Sequence, residues 1–285
     1  MILSSQIAIV VLNWNGADDT LACLESLLEL IESPGKILVI DNASTDDSVE
    51  RIRTAFPDLE LIQNERNEGF GRGQNPSIQR LIDQGFDWIW LLNNDARALP
   101  ESLRNMLDHA SQHPECGAIG VPIFDLEQPG QLQAWGGGRV DFWLGRSAQF
   151  PEPLHDDEQL VFLTGASLLL RSQALQQTGL FDPTFFMYWE DVDLSIRLTN
   201  QGWKLTVAEQ AKVLHHGSAS MAGQTARKDQ LMNESAVRFF RKHAPLGGWP
   251  AITMGIGGRV AKRLFTGRWA HAVAVLRGAL QGFKT

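Results

Sequence analysis

Short apolar runs alternate with segments of helical spacing through the first 125 residues, and this alternation restricts the possible folds more than any other feature of the chain. IAIVVLNW (7–14) and KILVIDN (36–42) are rich in β-branched residues, as strands are. Between them, Leu21, Leu24 and Ile31 recur at the spacing of one helix face. This stretch therefore predicts a β-α-β unit.

The same alternation continues to residue 125. Ser44, three residues before Asp47, resembles a capping box that would begin a second helix. PSIQRLIDQG (76–85) predicts a third helix with proline in its first turn and glycine at its end. Further strands are predicted at 58–64, 87–93 and 116–124. This order indicates an α/β fold with a doubly wound, mostly parallel sheet, in which ligands bind beyond the carboxyl ends of the strands.

Charge is divided unevenly along the chain. The net charge is −8, but residues 226–285 contain eleven lysines and arginines against two acidic residues. This basic tail mixes cations with aromatic and aliphatic residues, as do amphipathic helices on an anionic membrane surface. A helical tail packed on the acidic body or on a second subunit would have the same pattern. We divide the chain into a main domain over 1–225, with halves at about 1–125 and 126–225, and a tail over 226–285.

Composition restricts the compartment and the partners. The two cysteines are too few for a disulfide framework, which favours a reducing cytoplasm. No run approaches the roughly 18 apolar residues of a membrane span, and the first residues predict a strand, not a secretory signal. Only the tail is basic, which argues against a nucleic-acid groove. We expect a cytoplasmic protein, with any membrane contact peripheral and at the inner face.

Polar side chains follow three of the predicted strands at their carboxyl ends, at Asn13, Asp41 and the run Asn93-Asn94-Asp95. A carboxylate at such a position can bind a hard divalent cation, while a neighbouring amide can bond a ribose hydroxyl. The alternative for the Asn-Asn-Asp run is a turn that leads into the next helix. Either way, one edge of the sheet should collect these groups.

The segment Trp189-Glu190-Asp191-Val192-Asp193 places three carboxylates in four positions beside aromatic residues. Crowded like charges next to apolar rings raise a carboxylate pKa toward the range in which it can accept a proton from an alcohol. Its periodicity fits a strand or a helix that begins at the acidic residues. Acidic helix capping without chemistry is the other interpretation.

Two further segments contain candidate ligands. His215 and His216 follow an apolar run, and adjacent strand residues point to opposite faces, so the pair cannot serve one metal site. The loop Asn67–Asn75 has glycines that allow close approach of a ligand, and Arg72 could meet a phosphate. The dinucleotide pattern GxGxxG is absent after the first strand, which argues against an NAD-binding fold.

In order and spacing, these segments resemble the inverting glycosyltransferases of family 2, which have the GT-A fold, over about residues 7–243. The similarity is strongest to the rhamnosyltransferase-like branch. The segments that carry it are IVVLNWNG, VIDNASTDDS, NEGFGRGQN, LLNNDA, LTGASLLLR, FFMYWEDVDLSIR and VLHHGSAS. The resemblance implies a nucleotide-sugar donor, with dTDP-rhamnose favoured over a UDP-sugar, and a glycan or lipid-linked acceptor in surface polysaccharide or cell-wall synthesis.

The resemblance also implies a role for each candidate residue. Asn13 and Asp41 would contact the nucleobase, the Asn67–Asn75 loop would flank the nucleoside, and Asn94 would face the ribose. Asp95 and His215 would bind Mg²⁺ or Mn²⁺ on the diphosphate. Asp191 would be the general base at the start of a helix, and Thr164-Gly165-Ala166 would line the acceptor side.

One position departs from the family pattern, because Asn93 replaces the first aspartate of the usual Asp-x-Asp metal motif. The site therefore lacks one negative charge, although rhamnosyltransferase-like members share this form. Two other functions remain as alternatives. A nucleotidyltransferase would normally have a glycine-rich basic loop where NWNGADD stands, and a non-catalytic relative that binds nucleotide sugars would not need Asp191.

Overall fold

The structure is a computed structural model that describes residues 2–154, 160–216 and 225–284. The strands are β1 (Ile7–Asn13), β2 (Lys36–Asp41), β3 (Glu60–Gln63), β4 (Trp88–Asn93), β5 (Ala96–Ala98), β6 (Cys116–Gly120), β7 (Pro122–Asp125), β8 (Leu132–Trp135), β9 (Gly137–Asp141), β10 (Arg146–Gln149), β11 (Phe162–Leu163), β12 (Ser167–Arg171), β13 (Lys204–Val207) and β14 (Val213–His215). The helices are α1 (Ala17–Leu28), α2 (Ser48–Ala55), α3 (Phe70–Asp83), α4 (Ser102–Gln112), α5 (Ser172–Thr178), α6 (Glu190–Asn200), α7 (Ala226–His243), α8 (Trp249–Phe265) and α9 (Trp269–Gly282).

A seven-stranded sheet in the order β13-β6-β12-β4-β1-β2-β3 forms the centre of the molecule. The pairs β1–β2, β1–β4, β2–β3 and β6–β13 are parallel, whereas β12 runs antiparallel to β4 and to β6. This confirms the prediction of an α/β fold with a mostly parallel sheet. Two smaller sheets, of four strands (β5-β14-β7-β8) and three strands (β10-β9-β11), are built mostly from residues after 121.

Both faces of the central sheet are covered, which explains why its strands are continuous apolar runs. Along β1, Ile7, Ile9 and Val11 belong to the core on one face. Ala8 and Val10 point the other way and belong to the core on the opposite face. A third apolar cluster joins the tail helices to the acidic segment before and within α6.

Two helices begin at different residues from those predicted. The second helix begins at Ser48, not near Ser44, because the Ser44 hydroxyl bonds the Asp41 carboxylate and so does not cap a helix. The third helix begins at Phe70, six residues before Pro76, and so includes most of the glycine-rich segment. Gly69 ends the preceding loop at a φ of 82°, a left-handed conformation that favours glycine.

The tail is helical, as predicted, and it packs against the rest of the chain. Trp189, just before α6, lies against Phe239 and Phe240 of α7, with ring centroids 4.6 Å and 5.0 Å away. The Asp193 carboxylate of α6 lies 2.7 Å from Lys242 Nζ and 2.7 Å from His243 Nε2, both of α7. Within the residues that the structure describes, no helix is long and apolar enough to cross a membrane.

Candidate active site

A cavity of about 320 Å³ opens at the carboxyl edge of the central sheet. Its walls come from the ends of β1, β4 and β14, the loop before α3, the β11–β12 loop and the start of α6. Five of the seven predicted site residues line it, namely Asn67, Asn94, Asp95, Asp191 and His215. Thr164, Gly165 and Ala166 line it as well. Residues almost a hundred positions apart in sequence therefore meet at one cavity.

Strand pairing brings Asp95 and His215 together. β14 pairs antiparallel with β5, and His215 lies opposite Ala96, the residue after Asp95. The His215 Nε2 atom is 3.1 Å from Asp95 Oδ1, while Gln133 Oε1 lies 3.3 Å from His215 Nδ1 and orients the ring from behind. His216 points elsewhere, and its Nε2 lies 3.4 Å from Glu127 Oε1.

Asp95 and His215 fit a divalent cation. Carboxylate oxygen and imidazole nitrogen are both ligands of Mn²⁺, and carboxylate oxygen is the preferred ligand of Mg²⁺. Two ligand atoms at right angles on an ion, each about 2.1 Å from it, lie about 3 Å apart. The 3.1 Å between Nε2 and Oδ1 matches that spacing. Asn93, which replaces an acidic ligand, places its Nδ2 3.4 Å from His215 Nε2.

Asn13 and Asp41, the predicted nucleobase contacts, do not line the cavity but lie beneath its floor, and both are fully buried. Asn13 Nδ2 donates to Asp41 Oδ1 at 2.7 Å, and the Ser44 hydroxyl donates to the same oxygen at 2.6 Å. Trp14 and Asn42, the residues that follow them, line the cavity instead. The structure thus gives Asn13 and Asp41 supporting positions, and direct contact with a base remains a prediction.

Asn94 connects this layer to the cavity wall. Its side-chain amide donates to Thr20 Oγ1 at 3.1 Å, and Thr20 Oγ1 lies 2.7 Å from Asn13 Oδ1. A continuous chain of hydrogen bonds therefore runs from β2 through β1 and α1 to the end of β4. Such a chain fixes the orientation of Asn94 before any ligand is bound.

The loop at Asn67 is held by hydrogen bonds and a close backbone contact. Asn42 Nδ2 donates to Asn67 Oδ1 at 3.0 Å, and the Gly69 amide donates to the same oxygen at 2.9 Å. The Phe70 amide donates to the Phe186 carbonyl at 2.9 Å, which joins this loop to the segment before α6. Arg72, a candidate for phosphate contact, forms an ion pair with Glu68 and does not line the cavity.

The acidic segment is a helix start, as the resemblance implies. Tyr188 and Trp189 both have positive φ, at 69° and 70°, and α6 begins at the next residue, Glu190. Positive φ costs about 1 kcal/mol or more for residues that are not glycine, so packing must maintain this turn. The turn presents Tyr188, Glu190 and Asp191 to the cavity while Trp189 is buried against α7.

Asp191 is fixed by backbone amides. Its Oδ2 accepts from the Gly165 amide at 2.9 Å, and its Oδ1 accepts from the Val192 amide at 2.8 Å. Burial raises the pKa of this carboxyl, and the hydrogen bonds from Gly165 and Val192 partly offset the rise. A carboxylate with a raised pKa at the wall of a cavity is suited to accept a proton.

The pKa values of the two nearby carboxyls, Glu190 and Asp193, are shifted in opposite directions. Burial, and next the charge of Asp191, raise the pKa of Glu190 well above its ordinary value. Burial also acts to raise the pKa of Asp193, but His243, Arg197 and Lys242 together lower it to about 2. Asp193 is fully buried and faces α7, so the crowding predicted from sequence does not raise its pKa.

Several cavity residues were not predicted as contacts, among them Trp14, Gln149 and Tyr188. Gln149 belongs to β10, whose four residues are exposed, so no apolar pattern singles it out. Tyr188 adjoins the acidic segment, and its being the chain's single tyrosine is the one signal that could have drawn attention to it.

Two solved glycosyltransferases share this architecture. The mannosyltransferase PcManGT of Pyrobaculum calidifontis, in complex with GDP-Man and Mn²⁺, superposes with a TM-score of 0.63 at 14% identity, over 96% of this chain and 87% of that one. GalNAc-T7, solved with UDP, GalNAc and Mn²⁺, gives a TM-score of 0.66 at 15% identity, over 83% of this chain. The chain spans 47% of the length of GalNAc-T7. The fold is therefore the GT-A fold of glycosyltransferases.

Sequence comparison defines the family within that fold. A family model described as "Glycosyltransferase like family 2" matches residues 5–231. The N-acetylglucosaminyl-diphospho-decaprenol L-rhamnosyltransferase of Mycobacterium tuberculosis is 31% identical over 250 residues, covering 80% of this chain and 81% of that protein. The chain belongs to glycosyltransferase family 2, and it is a glycosyltransferase rather than a nucleotidyltransferase.

Proposed function

We propose that this protein transfers a sugar, with rhamnose favoured, from a nucleotide-diphosphate donor to a lipid-linked glycan acceptor with inversion, in cell-wall or surface polysaccharide synthesis. The observation that carries the proposal is that Asp191 and the Asp95–His215 pair line one cavity. The similarity to a rhamnosyltransferase whose name gives a diphospho-decaprenol acceptor supports the choice of sugar and acceptor.

The donor would lie with its diphosphate at Asp95 and His215 and its nucleoside toward Trp14, Asn42 and Asn67. Asp95 and His215 would hold Mg²⁺ or Mn²⁺, which would supply positive charge to offset that on the leaving diphosphate. Asn94 faces the ribose in this arrangement, held by its bond to Thr20. Asp41 and Asn13 hold the turn after β2 that forms the floor under the base.

The acceptor would enter between the β11–β12 loop and the start of α6. Asp191 takes the proton of the acceptor hydroxyl as the acceptor oxygen bonds the anomeric carbon, and the bond from that carbon to the diphosphate oxygen breaks. A positioned base of this kind contributes about 10²- to 10⁴-fold in rate. The Gly165 and Val192 amides keep the Asp191 carboxylate oriented through the step. Attack from the side opposite the leaving group inverts the anomeric configuration.

The chain would consist of a catalytic domain and a tail, as its charge distribution suggests. Residues 1–225 would be the catalytic domain, with a nucleotide-sugar half over about 1–125 and an acceptor half over about 126–225, and residues 226–285 would be the tail. A lipid-linked acceptor would place the enzyme at the cytoplasmic face of the membrane, in peripheral contact through that tail. Gln133, which orients His215, belongs to the acceptor-side half but would serve the donor site.

The test is transfer with defined substrates. Purified protein is incubated with Mg²⁺ or Mn²⁺, a polyprenyl-diphosphate-linked N-acetylglucosamine and dTDP-rhamnose, with UDP-glucose and GDP-mannose as alternative donors. Mass spectrometry should show the acceptor gain one deoxyhexose from dTDP-rhamnose, and NMR should show inversion at the anomeric carbon. Hydrolysis of the nucleotide sugar without any transfer product, or transfer with retention, would contradict the proposal.

A further inference from the structure

Exposed apolar side chains are concentrated in the last two helices. Nine of the fifteen large apolar residues that are exposed in the described part of the chain lie between Leu246 and Leu280. Soluble surfaces normally scatter such residues singly, and a contiguous group of them marks an interaction surface. Helices α8 and α9 form a helical hairpin (Trp249–Gly282), and its exposed apolar residues indicate an interaction surface.

The exposed residues form a stripe on each helix. On α9, Trp269, Val273, Leu276 and Leu280 recur at helical spacing and are exposed by 44–68%. On α8, Met254 is 56% exposed, and Leu264 and Phe265, at the end of the helix, are exposed by 38% and 92%. Phe265 and Trp269 flank the turn between the helices, so the tip of the hairpin is its most apolar exposed part.

The opposite faces of both helices are already used within the protein. Gly278 of α9 lies so close to α7 that a Cβ atom there would be 2.1 Å from the Gln230 carbonyl oxygen. Arg259 Nε of α8 donates to Asn233 Oδ1 of α7 at 2.6 Å, and Arg263 forms an ion pair with Asp229 at 2.7 Å. Because these faces are packed on α7, the two apolar stripes point away from it.

Basic residues surround the apolar stripes. Lys262, Arg268, Arg277 and Lys284 are exposed, and the two acidic residues of the tail, Asp229 and Glu234, both belong to α7. The hairpin itself, from residue 249 to 282, contains no acidic residue. An apolar stripe with aromatic residues at its tip and cations along its edge is the pattern of a helix that lies in a membrane interface.

We propose that the outward face of the α8–α9 hairpin docks on an anionic lipid surface, with Phe265 and Trp269 inserted at the headgroup level. The basic hairpin and an anionic lipid surface have complementary charge, which favours lipid over other binding partners. A second copy of the chain would bring two basic hairpins together, and a nucleic acid would leave the apolar stripes exposed to water. The purpose of the docking rests on the lipid-linked acceptor of the proposed function, but its test does not.

The test measures binding of the full-length protein to vesicles without any substrate. Sedimentation with vesicles of about 70% phosphatidylcholine and 30% phosphatidylglycerol should carry the protein down at low salt, and binding should weaken as salt rises. Phosphatidylcholine vesicles alone should bind it at least tenfold more weakly, because about fivefold of affinity is lost for each basic residue without an anionic partner.

Paired variants separate the two components of the surface. F265S with W269S should lower vesicle affinity roughly tenfold or more, since each ring loses its apolar burial. K262E with R268E should lower it to a similar extent and remove its salt dependence. The control is L28S with I31S, which replaces two exposed apolar residues of the main domain and should leave binding unchanged.

Two readouts keep the result interpretable. Circular dichroism and transfer to a water-soluble acceptor should be unchanged in all the variants, because none of these residues lines the cavity. If F265S with W269S keeps wild-type vesicle affinity, or if light scattering shows that it converts a dimer to a monomer, membrane docking by this face is wrong. If the wild-type protein binds vesicles but transfers sugar to none of the acceptors tested, the result contradicts the proposed function and leaves membrane docking supported.

Discussion

The Asp191 carboxylate accepts a hydrogen bond from the Gly165 amide at 2.9 Å, and this contact joins the first turn of α6 to the loop between β11 and β12. An added Cβ at Gly165 would lie 3.5 Å from Asp191 Oδ2, an ordinary van der Waals distance, so the approach of the carboxylate to the loop rests on the backbone amide. The contact fixes the direction in which Asp191 can accept a proton and leaves its outer side to the cavity.

Replacement of Asp191 by asparagine should abolish transfer while donor binding is nearly unchanged. Asparagine keeps the shape of the side chain but cannot take a proton, so the transfer rate should fall by about 10²- to 10⁴-fold. Single-turnover kinetics would measure the rate, and calorimetric titration with the nucleotide diphosphate would measure binding. D108N, at an exposed position of α4, is the matched control. Transfer at the wild-type rate in D191N would remove Asp191 from the role of base.

The two adjacent histidines provide a matched pair for the metal site. H215A should raise the Mn²⁺ concentration needed for half-maximal transfer by about tenfold or more, because it removes one of two ligands. H216A should have no effect, since that side chain faces Glu127 outside the cavity. Titration of EDTA-treated protein with Mn²⁺ followed by transfer assays gives the comparison. Equal effects in the two variants would contradict the assignment of His215.

Ionisation of the buried Glu190 should lower the free energy of unfolding as the pH rises. Its folded pKa is raised by burial above the unfolded value, so the folded state binds the proton more tightly. Its contribution to stability is fully present below the unfolded pKa and is lost as pH rises through the folded pKa. The stability of E190Q relative to wild type should therefore increase as the pH rises above the ordinary glutamate pKa of 4.5. Urea unfolding at a series of pH values measures this, and a constant difference would show that Glu190 does not titrate as argued.

Asp193 should have the opposite pH dependence. Its folded pKa is lowered to about 2, below the ordinary aspartate value of 3.8, so its contribution is present above that ordinary value and is lost as pH falls through about 2. A shift of this size corresponds to about 2 kcal/mol of stability at neutral pH. D193N should be destabilised by about that amount in urea unfolding at pH 7, with D108N again as control. A neutral effect of D193N would show that its contacts to α7 and Arg197 contribute little.

Two glycines with a similar positive φ differ in what surrounds them. Gly69 and Gly85 have φ of 82° and 88°, but a Cβ at Gly69 would lie 1.9 Å from the Phe186 carbonyl oxygen, whereas nothing lies within 4 Å at Gly85. G85A should cost about 1 kcal/mol from strain alone. G69A should cost clearly more and weaken nucleotide binding, because the loop at Asn67 must move. Equal losses of stability in the two variants would refute the close contact.

Local pattern predicted much of the fold because the central sheet is buried on both faces. β1, β2 and β4 were read directly from their apolar runs, and the confirmed α/β class followed from their alternation with helices. The start of α3 was missed because Pro76 suggested a first turn, and the hydrogen bond of Phe70 to the distant Phe186 is not visible in local sequence. The antiparallel direction of β12 likewise depends on pairing with β4 and β6, far away in the chain.

The site was predicted less completely than the fold. Side chains at strand ends, such as Asp41 and Asp95, could be expected at one edge because parallel strands end together, whereas the role of His215 was implied only by the family resemblance. Whether a polar residue faces the cavity or supports it from below depends on contacts between elements, as the burial of Asn13 and Asp41 against each other shows. The pKa of Asp193 depends on α7, fifty residues later, so no reading of the acidic segment alone could give its direction.

The packing of Trp189 and Asp193 on α7 determines how this chain can be shortened for laboratory use. A truncation before Ala226 would remove α7. Trp189 would then lose its contacts with Phe239 and Phe240. The buried Asp193 carboxylate would lose Lys242 and His243. Expression trials that remove the hairpin should therefore retain the chain through His243. A shorter product would report on a damaged enzyme rather than on the absence of a tail.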